Sequence, residues 1–482
     1  VSVQKISTKK SSKKLRRQGK GEKLPQFSPG RWLGVGLGLT GVAMISATAG
    51  ALLAVSLSST PLMQHKLSPE EAAVFSQQDL AKVNMRLPEL TRPVNILVLG
   101  VKVITADLTE DDENYPQFEE DPGYHALVNS FKGLSDTMLL IRFNPEGQKL
   151  TLLSIPRDTR VYLEERGVRK INAANFHGGP AGSAKAVSEL LGGVGIDRYL
   201  RVNVQGVEKL IDAVGGVKVY IPKDMKYQDD SQHLYINLKE GERRLNGDQA
   251  LQFLRFRRDN LGDIGRVQRQ QMLIRAFMEQ AVNLKTMGKL PQILSVIQSH
   301  IDTNLSIEEL IALVGFASKI DRSNVEMLMV PGQFSDPKKY KASYWLPDYD
   351  RLDAMIADRF NFGYKPWMYQ DLEPIYQKIS IQDSNDDWAA VDDLIRTLNA
   401  EGYWNVRDYK PWTEPLEVTK IVAQHGDIEG AKAVRDALGF GEVVVESTGH
   451  LSSDVTIQLG KDWLIKREEM KLLEEKENYN NW

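Results

Sequence analysis

The sequence predicts an α/β fold: an αβα sandwich on a mixed central sheet, preceded by one transmembrane helix and followed by a smaller α/β domain. Three observations predict it. Strand-like apolar runs interleave with helix-like runs between residues 95 and 330, the pattern of layered α/β architectures. Two of those runs, 137–143 and 149–155, lie too close for a crossover and must form a hairpin, so the sheet is not all parallel. Upstream, Trp32–Leu57 is 26 residues without a charge, long enough to span a bilayer.

Taken in order, residues 1–31 carry ten Lys or Arg and one acid, Glu22, a net of +9. Because the whole 482-residue chain nets -3, everything after residue 31 carries -12. A basic flank stays in the cytoplasm, which predicts a single-pass anchor over 32–57 and an extracytoplasmic remainder. A cleaved signal peptide, with Ala47-Thr48-Ala49 as its site, is the rival reading, but the apolar run is about twice a usual signal core. The absence of cysteine excludes disulfides, thiolate metal sites and cysteine nucleophiles. Residues 58–92 read as a stalk in which Ser68-Pro69-Glu70-Glu71 opens a short helix.

A main domain over 93–335 begins with the buried-strand run Asn95–Gly100. Residues 105–133 are acidic and punctuated by Pro and Gly, a long loop near a functional surface. Strands follow at 137–143, 149–155, 216–221 and 325–330. Helices are expected at 183–191, 205–213, 246–257 and 264–284, with a further helical pair after 290. The aromatic stretch 336–378 reads as a connector. A second domain over 379–466 alternates strands and helices: 378–381, 387–398, 419–423, 429–438, 442–446 and 455–459. The charged residues 467–482 are expected to fray.

Two places concentrate chemistry. In the hairpin the loop centres near Glu146, which sets position 136 opposite position 156. Asp136 should therefore sit beside Arg157 and Asp158 at one sheet end, where α/β folds place ligands; Lys170 and Asn172 follow on the next loop. The second place is 255–270, with five arginines and two acids. Asn246, with Gln249 three residues on, caps a helix ending near Arg255 and Arg257. Asp263 caps a second, which puts Arg266, Arg269 and Gln270 in or just after its first turn. Arg-rich helices are often solvated faces with surface ion pairs. Cations at the positive end of a macrodipole are locally unfavourable, however, which points to a bound anion, and the guanidinium fork fits phosphate. Carboxylates beside such a cluster suit a metal-bound phosphate ester, since Mg²⁺ takes one or two carboxylates plus waters and phosphate oxygens.

Other chemistries lack their residues. There is no GxxxxGK[ST] phosphate loop, HExxH, GxSxG elbow or close His pair. His125 and His177 stand alone and read as packing or surface residues, and Gly192-Gly193-Val194-Gly195 as a turn. The basic tail abuts the membrane run, so anionic lipid headgroups explain it and no nucleic acid is expected as partner.

The segments SDTMLLIRFNP (135–145), LLSIPRDTRV (152–161), KINAAN (170–175) and LNGDQALQFLRFRRDNLGDIGRVQRQQ (245–271) resemble the signatures of the LytR-CpsA-Psr family. The resemblance spans about 93–335. The 379–466 segment, ending VTIQLGKDW, is similar to the LytR C-terminal domain. The resemblance implies an extracytoplasmic phosphotransferase that moves a glycan polymer from polyprenyl pyrophosphate to peptidoglycan, leaving a phosphodiester. It implies Mg²⁺ or Mn²⁺ as cofactor, with Asp136 as a metal carboxylate and Arg157, Lys170, Arg255, Arg257, Arg266 and Gln270 as pyrophosphate ligands. Of these, Asp136, Arg157, Asp158 and Arg266 would form the catalytic set, with Asn172 and Arg269 in support. Asp121, next to Glu119 and Glu120, is the candidate second metal carboxylate. Many relatives carry Arg before the Ser-Asp-Thr, where this chain has Leu134. Two other readings use the same residues: a membrane-bound regulator or polyprenyl-phosphate-binding module without transfer, and a pyrophosphate hydrolase.

Overall fold

The computed structural model describes residues 66–82, 88–101, 131–230, 234–256, 262–281, 290–364 and 376–480. The basic tail, the 32–57 run, Asp121 with Glu119 and Glu120, and Arg257 lie outside them. Among the described residues no helix is long and apolar enough to cross a membrane. The first helix, α1 (Pro69–Ala73), opens with the expected capping box between Ser68 and Glu71.

The strands of the main domain are β1 (Val94–Val101), β2 (Ser135–Asn144), β3 (Lys149–Ile155), β4 (Arg160–Leu163), β5 (Gly167–Lys170), β6 (Arg198–Asn203), β7 (Val217–Ile221), β8 (Met225–Asp229), β9 (Leu234–Leu238), β10 (Gly241–Leu245), β11 (Ile301–Thr303), β12 (Val325–Met329), β13 (Gly332–Phe334) and β14 (Trp345–Pro347). Six of them form the central sheet in the order β11-β6-β1-β2-β3-β12. The pairs β1/β6 and β3/β12 are parallel and the rest antiparallel, so the sheet is mixed as expected.

Alternation along the strands builds two cores. Met138, Leu140, Leu153 and Ile155 join Ala184 and Val187 of α2 (Ala173–Leu190) on one face. Leu139, Leu150 and Leu152 pack on the other face, with Ile297 of the helix Leu290–His300 and Leu310 of the helix Ile307–Ala317. A third cluster adjoins the second core through α3 (Val204–Val214) and α5 (Gly262–Ala281); there Phe253 of α4 (Gly247–Arg255) and Leu273 of α5 bury against Val217, Val219 and Ile221.

Several expectations change. The helix expected from 183 begins at Ala173, as two helical stretches joined by a kink. Gly178 and Gly179 leave helical angles just before Pro180, and Gly179 takes a φ of 57° that glycine adopts at little cost. The strand β6 is an addition to the predicted set; its two arginines are buried and ion-paired. The connector contains a helix, Tyr349–Phe360, and the hairpin β13/β14 lies against the main domain through Trp345, whose backbone N–H donates to the Asp158 carbonyl at 2.9 Å. The helix α5 starts at Gly262, so Asp263 lies inside it, Arg266 falls beyond its first turn, and the dipole argument at Arg269 and Gln270 weakens.

The C-terminal sheet orders Val406–Asp408, Ile379–Asp383, Val455–Leu459, Lys420–Ala423 and Glu442–Val444. Residues 467–480 do not fray: they continue the helix Lys461–Asn480. Trp463 is buried and its indole donates to the Ala390 carbonyl at 2.8 Å, while Arg467 pairs with Asp393 and Asp387. Lys- and Glu-rich sequence, given such an anchor, propagates as helix.

Candidate phosphate-ester site

The hairpin brings the first cluster together, one residue out of the expected register. Asn144 faces Lys149 and Met138 faces Ile155, so the series runs on to place Asp136 opposite Arg157 rather than Pro156. The connecting loop holds four residues, with Gln148 at φ 46°, which moves its centre past Glu146. On its other side β2 pairs with β1 through a discontinuity: Thr137 faces Gly100 and Ser135 faces Val101. Asp136 is left as the extra residue of a β-bulge, a device that re-aims a side chain beside a site. Gly100 suits this approach, because a Cβ there would lie 3.0 Å from the Thr137 Cβ. Asp136 thus belongs to the strand and does not merely precede it.

Backbone hydrogen bonds fix the neighbouring loops. Ser135 N–H donates to Asn172 O at 3.2 Å, Asn172 N–H to Arg157 O at 3.2 Å, and Ile171 N–H to Thr159 O at 2.8 Å. Asn172 is buried where α2 begins, with no capping bond from its side chain, so its observed part is this backbone splice. The splice holds the charged groups in one chain of contacts. Arg157 Nη1 lies 2.8 Å from Asp136 Oδ1, Arg157 Nε 3.6 Å from Asp158 Oδ2, and Lys170 Nζ 2.9 Å from Asp158 Oδ1. Asp158 is the buried member; Asp136 and Arg157 keep about a quarter of their side chains open to solvent.

From the other concentration of cations, α5 delivers Gln270, whose amide donates to Thr137 Oγ1 at 2.9 Å, one residue from Asp136. Asp136, Arg157, Asp158 and Gln270 line one pocket together with Val267, Met329, Phe334 and Trp345. Arg269 points elsewhere. It is buried, donates to the carbonyl of Phe256, and its guanidinium lies 5.9 Å from that ring, so it fastens α5 to the end of α4. Arg255 lies half-buried in the last turn of α4 and is not among the described residues lining the pocket. Arg257 and the Arg266 side chain fall outside the described residues. Sequence reasoning missed Phe334 and Trp345, whose rings meet edge-on at 5.2 Å. For Trp345 the signal is the aromatic density of the expected connector, whereas Phe334 falls at the end of the main domain, outside that stretch.

Among the described residues no group of three or more His, Asp or Glu could hold a metal. Asp136, already paired with Arg157 through one oxygen, is a pocket carboxylate of the kind that an oxygen-loving ion takes beside phosphate and water.

The pocket at the end of the mixed sheet is thus lined by two carboxylates and one arginine, with Lys170 paired to Asp158 but not among the described residues that line it. The chain belongs to the LytR_cpsA_psr family: residues 59–360 match that family, and residues 377–463 match the domain described as LytR cell envelope-related transcriptional attenuator. It is 35% identical over 247 residues to the polyisoprenyl-teichoic acid–peptidoglycan teichoic acid transferase TagU of Oceanobacillus iheyensis, covering 50% of this chain and 67% of that one. It is 32% identical over 231 residues to the transferase of the same description, TagV, of Bacillus subtilis, covering 46% of this chain and 58% of that one. The crystal structure of B. subtilis TagV is 26% identical, with a TM-score of 0.45, over 57% of this chain and 99% of that one.

Proposed function

We propose that this chain is a membrane-anchored, extracytoplasmic phosphotransferase that moves a glycan polymer from polyprenyl pyrophosphate to peptidoglycan. The observation that carries the reading is the contact chain Asp136–Arg157–Asp158–Lys170 with Gln270 above it, in a chain of this family. The relatives' names supply the substrate class, a polyisoprenyl-linked wall polymer.

In the proposed reaction an acceptor hydroxyl attacks the glycan-bearing phosphorus. The bond from that phosphorus to the bridging oxygen breaks, polyprenyl phosphate leaves, and the hydroxyl proton is released to a base. Little of this is covalent work for the protein; most is placement and charge neutralisation. Arg157 presents a planar fork to phosphate oxygens, Lys170 a point charge, and Gln270 an amide donor. Asp158 lies between the two cations and aligns both. Arg255, Arg257 and Arg266 are the further cations that the family resemblance assigns to the pyrophosphate. Asp136 would hold Mg²⁺ or Mn²⁺, with Asp121 as its partner carboxylate, and such an ion when bound neutralises diphosphate charge.

The test is incubation of the full chain with a polyprenyl-pyrophosphate glycan, Mg²⁺ and peptidoglycan oligomer. Covalently linked product supports the transferase. Free phosphorylated glycan indicates a hydrolase, and neither product indicates a binding or regulatory module; either outcome overturns the proposal.

A further inference from the structure

Next to the Asp136 pocket lies a wider cleft whose walls come from both domains. One wall is built by α5, through Gln268 and Met272, and by Phe334 and Trp345; the other by the C-terminal segments around Tyr409–Glu414 and Gly449–Ser452. Phe334 and Trp345 line both hollows. The Tyr409–Glu414 part of that wall stands at the carboxyl end of the strand Ile379–Asp383: Tyr409 N–H donates to Ile381 O at 2.9 Å and Trp412 N–H to Asp383 O at 2.8 Å. Both sheet neighbours of that strand run parallel to it, and the carboxyl edge of parallel strands is where α/β sheets take ligands.

Aromatic faces and polar groups alternate there. The Tyr409 ring lies 3.8 Å from that of His450, and His450 Nδ1 is 3.0 Å from Ser380 Oγ, so both rings are held. The indole Nε1 of Trp412 is enclosed and has no hydrogen-bond acceptor among the described residues. A buried donor without a partner carries its whole desolvation cost until something supplies an acceptor. The amide of Gln382 is buried on the same wall, and Gln268 crosses the cleft's edge to donate to Thr448 O at 2.6 Å.

We propose that this interdomain cleft is a saccharide-binding subsite: a pyranose ring lies against Tyr409 and Trp412, and its hydroxyls meet the Trp412 N–H and the amides of Gln268 and Gln382. An isoprenoid chain fits less well, since it has no polar atom to offer the Trp412 N–H or the remaining hydrogen-bonding capacity of Gln268 and Gln382. A sugar buries the ring faces and satisfies the donors together. The subsite's place in catalysis rests on the phosphotransferase reading: a wall shared with the phosphate pocket sets the sugar beside the reacting phosphorus. That sugar belongs either to the acceptor glycan strand or to the donor polymer.

The test titrates the full chain with a neutral N-acetylglucosamine tetrasaccharide, with a sugar 1-phosphate, and with sugar-free geranylgeranyl pyrophosphate, read by calorimetry and saturation-transfer NMR. A saccharide should bind, and Trp412→Ala and Tyr409→Ala should each weaken it about ten-fold, about 1.4 kcal/mol. Trp412→Phe, which keeps a ring and loses the N–H, should lose less, and unchanged thermal melting would show each variant folded. Binding of the neutral tetrasaccharide assigns the cleft to the acceptor; binding of the sugar phosphate alone assigns it to the donor. No saccharide binding, affinity indifferent to all three variants, or geranylgeranyl pyrophosphate competing at Trp412 would overturn the subsite. Should Arg157→Ala retain full transfer while the cleft variants lose saccharide, the phosphotransferase reading fails and the subsite stands.

Discussion

Replacing Arg157 by alanine separates stability from chemistry at the point where the two meet. Its guanidinium lies 2.8 Å from Asp136 and 3.6 Å from Asp158, with 22% of the side chain exposed against 25% and 10% for its partners. Exposed pairs are worth about 0–1 kcal/mol, and breaking a fully buried pair costs about 3–5 kcal/mol. This one lies between, and a loss of about 1–2 kcal/mol in denaturant unfolding is expected, too little to unfold a domain with two extended cores. The effect on transfer is larger. Removing one donor aimed at charge developing in a transition state costs about 10²–10³ in turnover, or about 2.7–4 kcal/mol. Arg157→Lys keeps the charge without the fork and should fall between wild type and alanine. The assay is single-turnover transfer from a polyprenyl-pyrophosphate glycan, with melting run alongside. Transfer by a folded Arg157→Ala chain within about three-fold of wild type, under about 1 kcal/mol, would refute the role given to this residue.

Four further outcomes follow from the packing. Asp302→Ala strands Arg201, buried on the central sheet, and should cost about 3–5 kcal/mol in urea unfolding. Acid should destabilise the C-terminal domain: burial, helped by the nearby Arg351, pushes His425 down to about 3, so between about 6.5 and 3 the unfolded chain binds a proton that the folded one refuses. Stability therefore falls as pH falls through that window, by up to about 1.4 kcal/mol per unit, and His425→Gln should flatten the slope measured by denaturation at stepped pH. Below about 4.5 a second loss should join it, because Glu446, raised by burial but lowered further by Arg275, has a net depressed pKa and is protonated more readily when unfolded. Finally, a chain ending at residue 376 should melt lower and aggregate, as read by light scattering, because it bares the β12 edge.

What the sequence discloses depends on where each residue's partner lies. The apolar runs of β1, β2, β3 and β12 declare themselves because their neighbours are sheet residues of the same kind. The strand β6 does not. Arg198 and Arg201 break its apolar pattern, and both are buried only because Glu309 and Asp302, more than 100 residues on, neutralise them. The Asp136–Arg157 pair was legible because a hairpin fixes its own register to within one residue. Gln270 was legible from the cation cluster around it. Its neighbour Arg269 holds a helix end instead, a difference set by side-chain direction on α5 that spacing alone does not resolve. Trp345 comes to the pocket from a stretch that reads as linker, and nothing local marks it as a wall.

The C-terminal domain also bears on the geometry of the candidate site. Met327 of β12 exchanges backbone bonds with the 445–447 segment, accepting from Ser447 N–H at 2.8 Å and donating to Val445 O at 2.9 Å. The second domain is therefore tied to the edge strand of the main sheet through a single β-bridge, Met327 to Glu446. From the same segment Glu446 pairs with Arg275, and Thr448 accepts from Gln268, both on α5. Two turns of that helix are thereby held to the second domain while Gln270, between them, reaches Thr137 beside Asp136. Gln271 adds a tie to Ser154 on β3 at 3.4 Å. A helix pinned on both sides of the residue it presents loses little further entropy when a ligand arrives, the condition for binding energy to be spent on the transition state rather than on ordering the site.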